Sequence, residues 1–147
     1  MRTHILIGCG GLKLDHAAPA RELYTGPLFR AARTHAEASG VPWAILSARY
    51  GLVMPADVIE PYDYRLQRVE GAPRSCYVTC RALGQQLRTW MRGRANVQIE
   101  AHAGTPYVRW VWDALREVYP NPVGVAAPLH GLQVGERLSW YRQRRAA

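Results

Sequence analysis

Short apolar runs alternate with segments of helical periodicity along this chain, and this alternation limits the possible folds more than any other feature. The apolar runs have the length and composition of strands, and they cover residues 4–9, 41–46, 96–102 and 123–127. The helical segments begin with a short helix near residue 19, and they continue at residues 27–39, 73–92, 106–118 and 135–145. We therefore expect a single three-layer α/β domain with a mostly parallel central sheet of about four strands, flanked by helices.

The length and the cysteine content limit the class of protein. A chain of 147 residues suits one compact domain, so we expect residues 1–147 to share one core. No apolar stretch approaches the roughly 20 residues that span a bilayer, and no small-residue cleavage site follows the N-terminal apolar run. Three cysteines form an odd set, which is typical of a reducing compartment. These features predict a cytoplasmic protein without a membrane partner.

The chain is strongly basic, with a formal net charge of +8 and an isoelectric point near 9.9. Excess positive charge favours binding to nucleic acid, whereas the alternative is an arginine-biased composition. One face of the helix at 73–92 carries candidate contacts to nucleic-acid phosphates, which are Arg74, Arg81, Arg88 and Arg92. A second cluster near the C-terminal end comprises Arg142, Arg144 and Arg145. The alternative is that both arginine clusters are ordinary solvated surface without a ligand.

Polar and reactive side chains follow three of the predicted strands. The first strand ends in Cys9, Gly10, Gly11 and Lys13, the second in Ser47, Arg49 and Tyr50, and the third in His102 and Gly104. Ligands of open α/β sheets bind outside the carboxyl ends of the strands. The sequence therefore predicts that these groups meet in one pocket at that edge of the sheet.

The turn after the first strand is a candidate phosphate site. The amides of Gly10 and Gly11 can form an anion-binding nest, with Lys13 and Arg21 as cations. The segment is not a Walker loop, because its spacing differs and no Ser or Thr follows Lys13. Cys9 is a candidate nucleophile beside Lys13, but a single cysteine on a strand is more often a small core residue.

The turn after the second strand offers a cation and an aromatic ring. Arg49 is a candidate phosphate contact, and Tyr50 is a candidate stacking surface for a base. The alternative is a structural transition from strand to turn that buries Tyr50 and exposes Arg49. We exclude a serine hydrolase centred on Ser47, because the glycines of a nucleophile elbow are missing around it. Residues 52–71 look irregular, and a loop of that length is usually functional or mobile.

Two cysteines of the helix at 73–92 and two tryptophans of the helix at 106–118 have alternative interpretations. Cys76 and Cys80 raise the alternative of a metal site, but both lie on the apolar stripe of their helix, so we expect no metal and no cofactor. The buried stripe predicted for the helix at 106–118 contains Val108, Val111, Trp112, Leu115 and Val118. Trp110 lies off that stripe, as a stacking residue or a peripheral core contact.

Several motifs together identify a family. They are Cys9-Gly10-Gly11-x-Lys13, Pro19-Ala20-Arg21-x-Leu23-Tyr24-x-Gly26, Ser47-Ala48-Arg49-Tyr50-Gly51-Leu52, Pro61-Tyr62-Asp63 and His102-Ala103-Gly104-x-x-Tyr107. With them the chain resembles a family of small bacterial and phage proteins, distantly similar to the peroxide-stress protein YaaA and to an accessory domain of archaeal tRNA-guanine transglycosylases. The resemblance implies DNA binding linked to oxidative damage or to nucleobases. It also implies a topology similar to that of uracil-DNA glycosylases, and hence N-glycosidic chemistry on a base.

Asp63 and His102 are the candidate catalytic residues for that chemistry. Base removal requires a carboxylate or polarised water facing the oxocarbenium-like sugar, together with a stabilised leaving group. We expect Asp63 to supply the carboxylate, Tyr62 to stack on the base, and His102 to stabilise the departing base. The alternatives are an acidic turn beside a packed tyrosine, and a buried histidine bonded to a backbone carbonyl.

The combined interpretation is a protein that binds DNA rather than RNA and hydrolyses the N-glycosidic bond of a damaged or modified base. No metal or organic cofactor is required for this reaction. Two rivals remain from other classes: a non-catalytic DNA-binding protein of stress or phage biology, and an enzyme that acts on a free nucleotide or nucleoside.

Overall fold

The computed structural model describes residues 2–69, 72–74 and 77–146, and for residues 67–69, 72–74 and 146 it describes the backbone alone. The strands in these ranges are β1 Arg2–Gly8, β2 Ala18–Pro19, β3 Trp43–Ser47, β4 Gly51–Val53, β5 Val58–Ile59, β6 Gln67–Val69, β7 Ala72–Arg74, β8 Val97–His102 and β9 Gly124–Ala126. The helices are α1 Ala20–Leu23, α2 Pro27–Ser39, α3 Cys80–Trp90, α4 Thr105–Val118 and α5 Val134–Ala146. No helix in the described ranges is long and apolar enough to cross a lipid bilayer.

Five strands form the main sheet, in the order β4-β3-β1-β8-β9. The central strand β1 pairs in parallel with β3 and β8, and β9 is parallel to β8. The edge strand β4 is antiparallel to β3, and Ser47 pairs with Gly51 beside the connecting turn. The prediction of a mostly parallel sheet flanked by helices is confirmed, with β4 as an additional strand.

The additional strand follows from a tight turn at the end of β3. Gly51 has a φ of +80°, in the left-handed region that glycine adopts without steric cost, and the chain reverses there. We expected an irregular segment from residue 52 because β4 has three residues, which is too short for a periodic signal. The reversal places the 61–66 segment back near the end of β1, where it forms part of a cavity.

The two faces of the sheet pack against different helices. Leu6 belongs to a core that includes Leu83 of α3 and residues of α4. Its neighbour Ile7 points to the opposite face and belongs to a second core, with Phe29 of α2 and Tyr141 of α5. Because successive residues of a strand face opposite sides, a continuous apolar run in β1 supplies both cores. The result is the expected arrangement of helices, sheet and helices.

The third helix is shorter than predicted. It begins at Cys80, because the hydroxyl oxygen of Thr79 accepts a hydrogen bond of 3.0 Å from the backbone N–H of Ala82 and caps the helix. Residues 72–74 are not helical but pair with residues 67–69 in an antiparallel hairpin. Cys76 and the side chain of Arg74 lie outside what the structure describes. Cys80 is half-buried against the core between the sheet and α3.

The two tryptophans of α4 have the opposite positions to those that the periodicity predicted. Trp110 is 1% exposed and Trp112 is 49% exposed. Besides the sheet, α4 packs closely against α3, and this second contact rotates its buried face. The buried residues of α4 are Trp110, Val111, Ala114 and Leu115. Trp110 is therefore a core residue and not a stacking surface.

The contact between α3 and α4 depends on Gly84. A Cβ at this position would overlap the backbone carbonyl oxygen of Ala114 and lie 3.0 Å from Cγ1 of Val118. Gly84→Ala should destabilise the protein by about 1–2 kcal/mol, although alanine normally favours a helix over glycine by about 1 kcal/mol. Urea unfolding followed by circular dichroism measures this change.

Gly135→Ala is the matched control for that substitution. Gly135 lies in α5, and apart from its chain neighbours and the backbone of its own helix, no described atom lies within 4 Å of the position that its Cβ would take. This variant should be neutral or more stable by up to about 1 kcal/mol. Equal stability of Gly84→Ala and the wild-type protein would show that α3 and α4 do not approach each other this closely.

His4 in β1 should make the stability of the protein depend on pH. Its side chain is 7% exposed and packs edge-on against Trp90, with ring centroids 4.8 Å apart. Burial lowers the pKa of His4 from its usual value of 6.5, a backbone hydrogen bond at Thr3 opposes this shift, and the charges of Arg2 and Arg94 add to it. The folded protein then binds this proton less readily than the unfolded chain does. The contribution of His4 to stability is therefore complete above about pH 6.5 and is lost as the pH falls below that value.

We predict that the free energy of unfolding decreases between about pH 7.5 and about pH 5.5, and that His4→Leu reduces this decrease. Urea unfolding at the two pH values measures the difference. His130 is exposed, so His130→Leu should keep the wild-type decrease. The same decrease in His4→Leu and the wild-type protein would contradict the assignment.

Candidate functional site

A cavity of about 480 Å³ lies at the carboxyl end of β1. The described residues that line it are Cys9, Gly10, Gly11, Lys13, Asp63, Tyr64, Arg65 and Tyr107. They come from the loop after β1, from the 61–66 segment and from the first turn of α4. The position agrees with the general rule that ligands of such sheets bind outside the carboxyl ends of the strands.

Backbone hydrogen bonds hold the loop after β1 in place. The N–H of Cys9 donates to the carbonyl of Leu46 at 2.9 Å, which continues the pairing with β3 beyond the end of β1. Farther along, the N–H of Leu14 donates to the carbonyl of Leu23 at 2.9 Å, and Lys13 forms a bridge with Tyr24. The loop therefore presents Lys13 from an ordered backbone.

Lys13 lies over aromatic rings at the edge of the cavity. Its Nζ is 4.4 Å from the centroid of the Tyr62 ring and 5.8 Å from that of Tyr24. Burial lowers the pKa of Lys13 from its usual value of 10.5, the Cys9 sulfur and the Asp63 carboxylate oppose this shift, and Arg65 adds to it. The cavity thus combines two cations with one carboxylate, and this arrangement suits a ligand that carries both an anionic group and a developing positive charge.

The Tyr107 hydroxyl forms part of the cavity wall. It accepts hydrogen bonds from the Cys9 thiol at 3.6 Å and from the backbone N–H of Leu66 at 3.2 Å. Burial raises the pKa of Tyr107, and the Cys9 sulfur raises it further. The phenol therefore stays protonated at neutral pH, and its own proton is available to a bound ligand.

Ser47 has a structural role that the sequence did not reveal. It is fully buried, and its hydroxyl oxygen accepts from the backbone N–H groups of Arg49 at 3.2 Å and Tyr50 at 3.0 Å. The same hydroxyl donates to the Tyr62 hydroxyl at 2.9 Å, and the hydroxyls of Tyr62 and Tyr24 lie 2.6 Å apart. Ser47 does not line the cavity; instead it positions the Tyr62 ring that lies beneath Lys13.

Three further predicted ligand contacts lie away from the residues that line the cavity. The Tyr50 hydroxyl donates to the carbonyl of Glu60 at 3.3 Å, and its ring packs edge-on against Tyr62. The guanidinium of Arg49 lies 4.2 Å from the centroid of the Tyr77 ring. The carbonyl of Arg21 accepts a hydrogen bond from Arg33. These contacts support the turn and the chain around it, and Lys13 lies over the ring of Tyr62.

His102 and Asp63 are not brought together in one cavity. The side chain of His102 is buried, and its Nδ1 and Nε2 lie 2.7 Å from the hydroxyl of Tyr141 and 2.7 Å from Oε1 of Glu100. Burial lowers the pKa of His102 from 6.5, although Glu100 opposes the shift. His102 lines a smaller adjoining cavity of about 110 Å³, which shares Cys9, Gly10 and Tyr107 with the first. Both ring nitrogens of His102 are engaged by protein groups in this structure, and its role in stabilising a departing base stays a prediction.

The sequence reasoning missed Tyr64, Arg65 and the role of Tyr107. A signal for Arg65 was present, because it lies two positions after the candidate Asp63, and both residues are exposed and line the cavity. Tyr107 belongs to the motif His102-Ala103-Gly104-x-x-Tyr107, but nothing in the sequence placed its side chain at this cavity. It lies in the first turn of α4, and its distance from Cys9 is 98 positions along the chain.

The predicted phosphate contacts on α3 and in the turn directly after it are solvent-accessible where the structure describes them. Arg81, Arg88 and Arg92 are exposed, and the guanidinium of Arg88 lies 5.7 Å from the centroid of the Tyr119 ring. The second cluster is exposed on α5, and it comprises Arg142, Arg144 and Arg145. Binding of nucleic acid by these residues stays a prediction.

A family model described as a family of unknown function (DUF6884) matches residues 5–143. No curated protein and no solved structure matches the chain.

Proposed function

Because the chain belongs to that family of unknown function, we propose an activity from the site itself: the cavity binds one nucleotide unit of DNA and hydrolyses its N-glycosidic bond. The observation that carries this proposal is that Asp63 and two cations, Lys13 and Arg65, line a single cavity. The cations suit a phosphate, and the carboxylate suits the cationic sugar that forms when a base departs.

The dimensions of the cavity fit this ligand. Its volume of about 480 Å³ lies within the usual range of small-molecule sites, and it is large enough for one nucleotide. A base inside a duplex cannot reach such a cavity, so the nucleotide has to leave the base stack or come from single-stranded DNA. The aromatic ring of Tyr64 in the cavity wall offers a surface on which a base can stack.

In the proposed reaction a water oxygen attacks C1′ of the sugar as the bond from C1′ to the base nitrogen breaks. The electron pair of that bond leaves with the base, which then takes a proton from solvent. Asp63 accepts one proton from the attacking water, and its negative charge stabilises the oxocarbenium-like transition state. The hydroxyl of Tyr107 donates a hydrogen bond to the departing base, since the phenol keeps its proton.

Two further features support DNA as the source of the nucleotide. The net charge of +8 favours a polyanion, and exposed arginines on α3 and α5 supply cations beyond the cavity. The resemblance of the motifs to the peroxide-stress protein YaaA and to transglycosylase accessory domains belongs to this proposal, because it points to DNA and nucleobases.

A substrate screen tests the proposal. Single-stranded and duplex oligonucleotides with uracil, hydroxymethyluracil or an oxidised base are incubated with the protein, and alkali-labile strand breaks are measured. We expect breaks at one class of modified base. Lys13→Gln should weaken binding of that oligonucleotide about tenfold or more, whereas the exposed Arg30→Gln on α2 should not.

A second candidate function is hydrolysis of a free nucleoside phosphate, which the one-nucleotide volume of the cavity also fits. Incubation with the corresponding free nucleotides, followed by chromatography of released bases, separates the two sources. Release from free nucleotides alone would favour this second candidate. Tight, salt-sensitive DNA binding without any base release would overturn the proposed hydrolysis and favour a non-catalytic DNA-binding protein.

A further inference from the structure

A second group of polar side chains lies on the other face of the sheet, outside the proposed nucleotide site. Glu100 and His102 are two positions apart on β8, so their side chains leave the same face of the strand. That face packs against α2, which supplies His35, and α5, which supplies Tyr141. Two elements, β8 and α2, thus bring two imidazoles and one carboxylate together, and α5 adds the Tyr141 hydroxyl beside them.

The ligand atoms of this group are close enough to share one ion. The available atoms of His35, Glu100 and His102 all lie within 4.8 Å of one another. Zinc bonds of about 2.1 Å in tetrahedral geometry place ligand atoms about 3.4 Å apart. The pair formed by His102 Nε2 and Glu100 Oε1, at 2.7 Å, has to open slightly, and any pair near the 4.8 Å limit has to close.

The hydrogen bond from Tyr141 can set the tautomer that a metal requires. Without an ion, the proton of His102 can lie on Nε2 and be donated to Glu100, while Nδ1 accepts from the Tyr141 hydroxyl. With an ion, the proton moves to Nδ1 and is donated to the Tyr141 oxygen, which leaves the Nε2 lone pair for the metal. Neutral His102 therefore binds without a net loss of a proton, and the hydroxyl orients the ring in both states.

We propose that His35, Glu100 and His102 form a binding site for a divalent transition metal ion such as Zn²⁺. Two imidazoles and one carboxylate form a donor set of the kind that zinc uses with three protein ligands and one further position. The side chain of Glu100 is 28% exposed, so the site is reached from solvent while His102 stays buried. The sequence interpretation assigned no metal, because it considered cysteine pairs and could not bring His35 next to β8.

Zn²⁺ alone is the probe for this site. Titration against a chromogenic chelator should detect one bound ion per chain in the wild-type protein. His35→Gln removes a half-buried ligand from α2 and should weaken binding by at least about 100-fold. Tyr141→Phe removes the group that orients His102 and should weaken binding by about 10–100-fold. Circular dichroism confirms that each variant is folded before it is titrated.

Two controls distinguish this site from other histidines and from thiols. His130→Gln changes an exposed histidine outside the group and should bind as the wild-type protein does. A variant with Cys9, Cys76 and Cys80 all replaced by serine should also keep its zinc. Zinc should raise the Tm of the wild-type protein and should not raise that of His35→Gln. Failure to bind one ion per chain, equal binding by His35→Gln, or loss of binding in the cysteine variant would each overturn the proposal.

Discussion

Replacing Asp63 with asparagine should reduce the rate of base release by about 100- to 10,000-fold, which is the usual contribution of a positioned general base. Asparagine has nearly the same shape as aspartate, but it cannot accept the proton of the attacking water and carries no charge to stabilise the sugar cation. Lys13 and Arg65 remain in the cavity, so the affinity for DNA should stay the same or increase slightly. Single-turnover rates and binding isotherms on the same oligonucleotide measure the two quantities separately.

Asp15→Asn is the matched control for this substitution. Asp15 lies two residues after Lys13, but its carboxylate is exposed, accepts a hydrogen bond from His16 at 2.8 Å and does not line the cavity. The variant should release bases at the wild-type rate. Base release by Asp63→Asn at the wild-type rate, with unchanged binding, would remove Asp63 from the reaction.

Ser47→Ala should destabilise the protein by about 2–4 kcal/mol, because its one buried hydroxyl forms hydrogen bonds with three other groups. Its removal leaves the backbone N–H groups of Arg49 and Tyr50 without their acceptor and deprives the Tyr62 hydroxyl of its donor. Each buried polar group that loses its partner costs about 1–3 kcal/mol, and partial relaxation lowers the sum. Urea unfolding measures the loss of stability.

Thr34→Ala provides a comparison on an exposed helix. The Thr34 hydroxyl donates to the carbonyl of Arg30 in α2 and faces solvent, so its removal should change stability by less than about 0.5 kcal/mol. If Ser47→Ala is as stable as Thr34→Ala, the hydroxyl of Ser47 does not hold the turn between β3 and β4 together.

Much of the sheet was predictable because parallel strands buried on both faces need continuous apolar runs. The runs in β1 and β3 have this form, and alternation in β8 indicated a strand with two different faces. The same reasoning located Cys9, Gly10, Gly11 and Lys13 at the carboxyl edge, where they line the cavity. The edge strand β4 and the hairpin of β6 and β7 escaped prediction, since three-residue strands have no period that a sequence pattern can show.

The candidate site was only partly predictable, since its walls come from distant parts of the chain. Residues at the ends of parallel strands were expected to share a pocket, yet Ser47 turns inward to backbone amides and His102 turns to Glu100 and Tyr141. A pattern of residue types indicates which strand ends carry polar groups. It does not indicate which groups each side chain contacts once helices pack against both faces of the sheet.

The sequence alone determined the α/β architecture and the glycine turn at the carboxyl end of β1. Both depend on apolar periodicity and turn residues, which act over a few positions of the chain. The tertiary structure alone decided which side chains meet. It placed Arg65 and Tyr107 beside Lys13, and it placed His35 beside Glu100. The reason is physical: contacts between distant segments depend on how helices pack and where the chain reverses, and these choices minimise the free energy of the whole core rather than of any one segment.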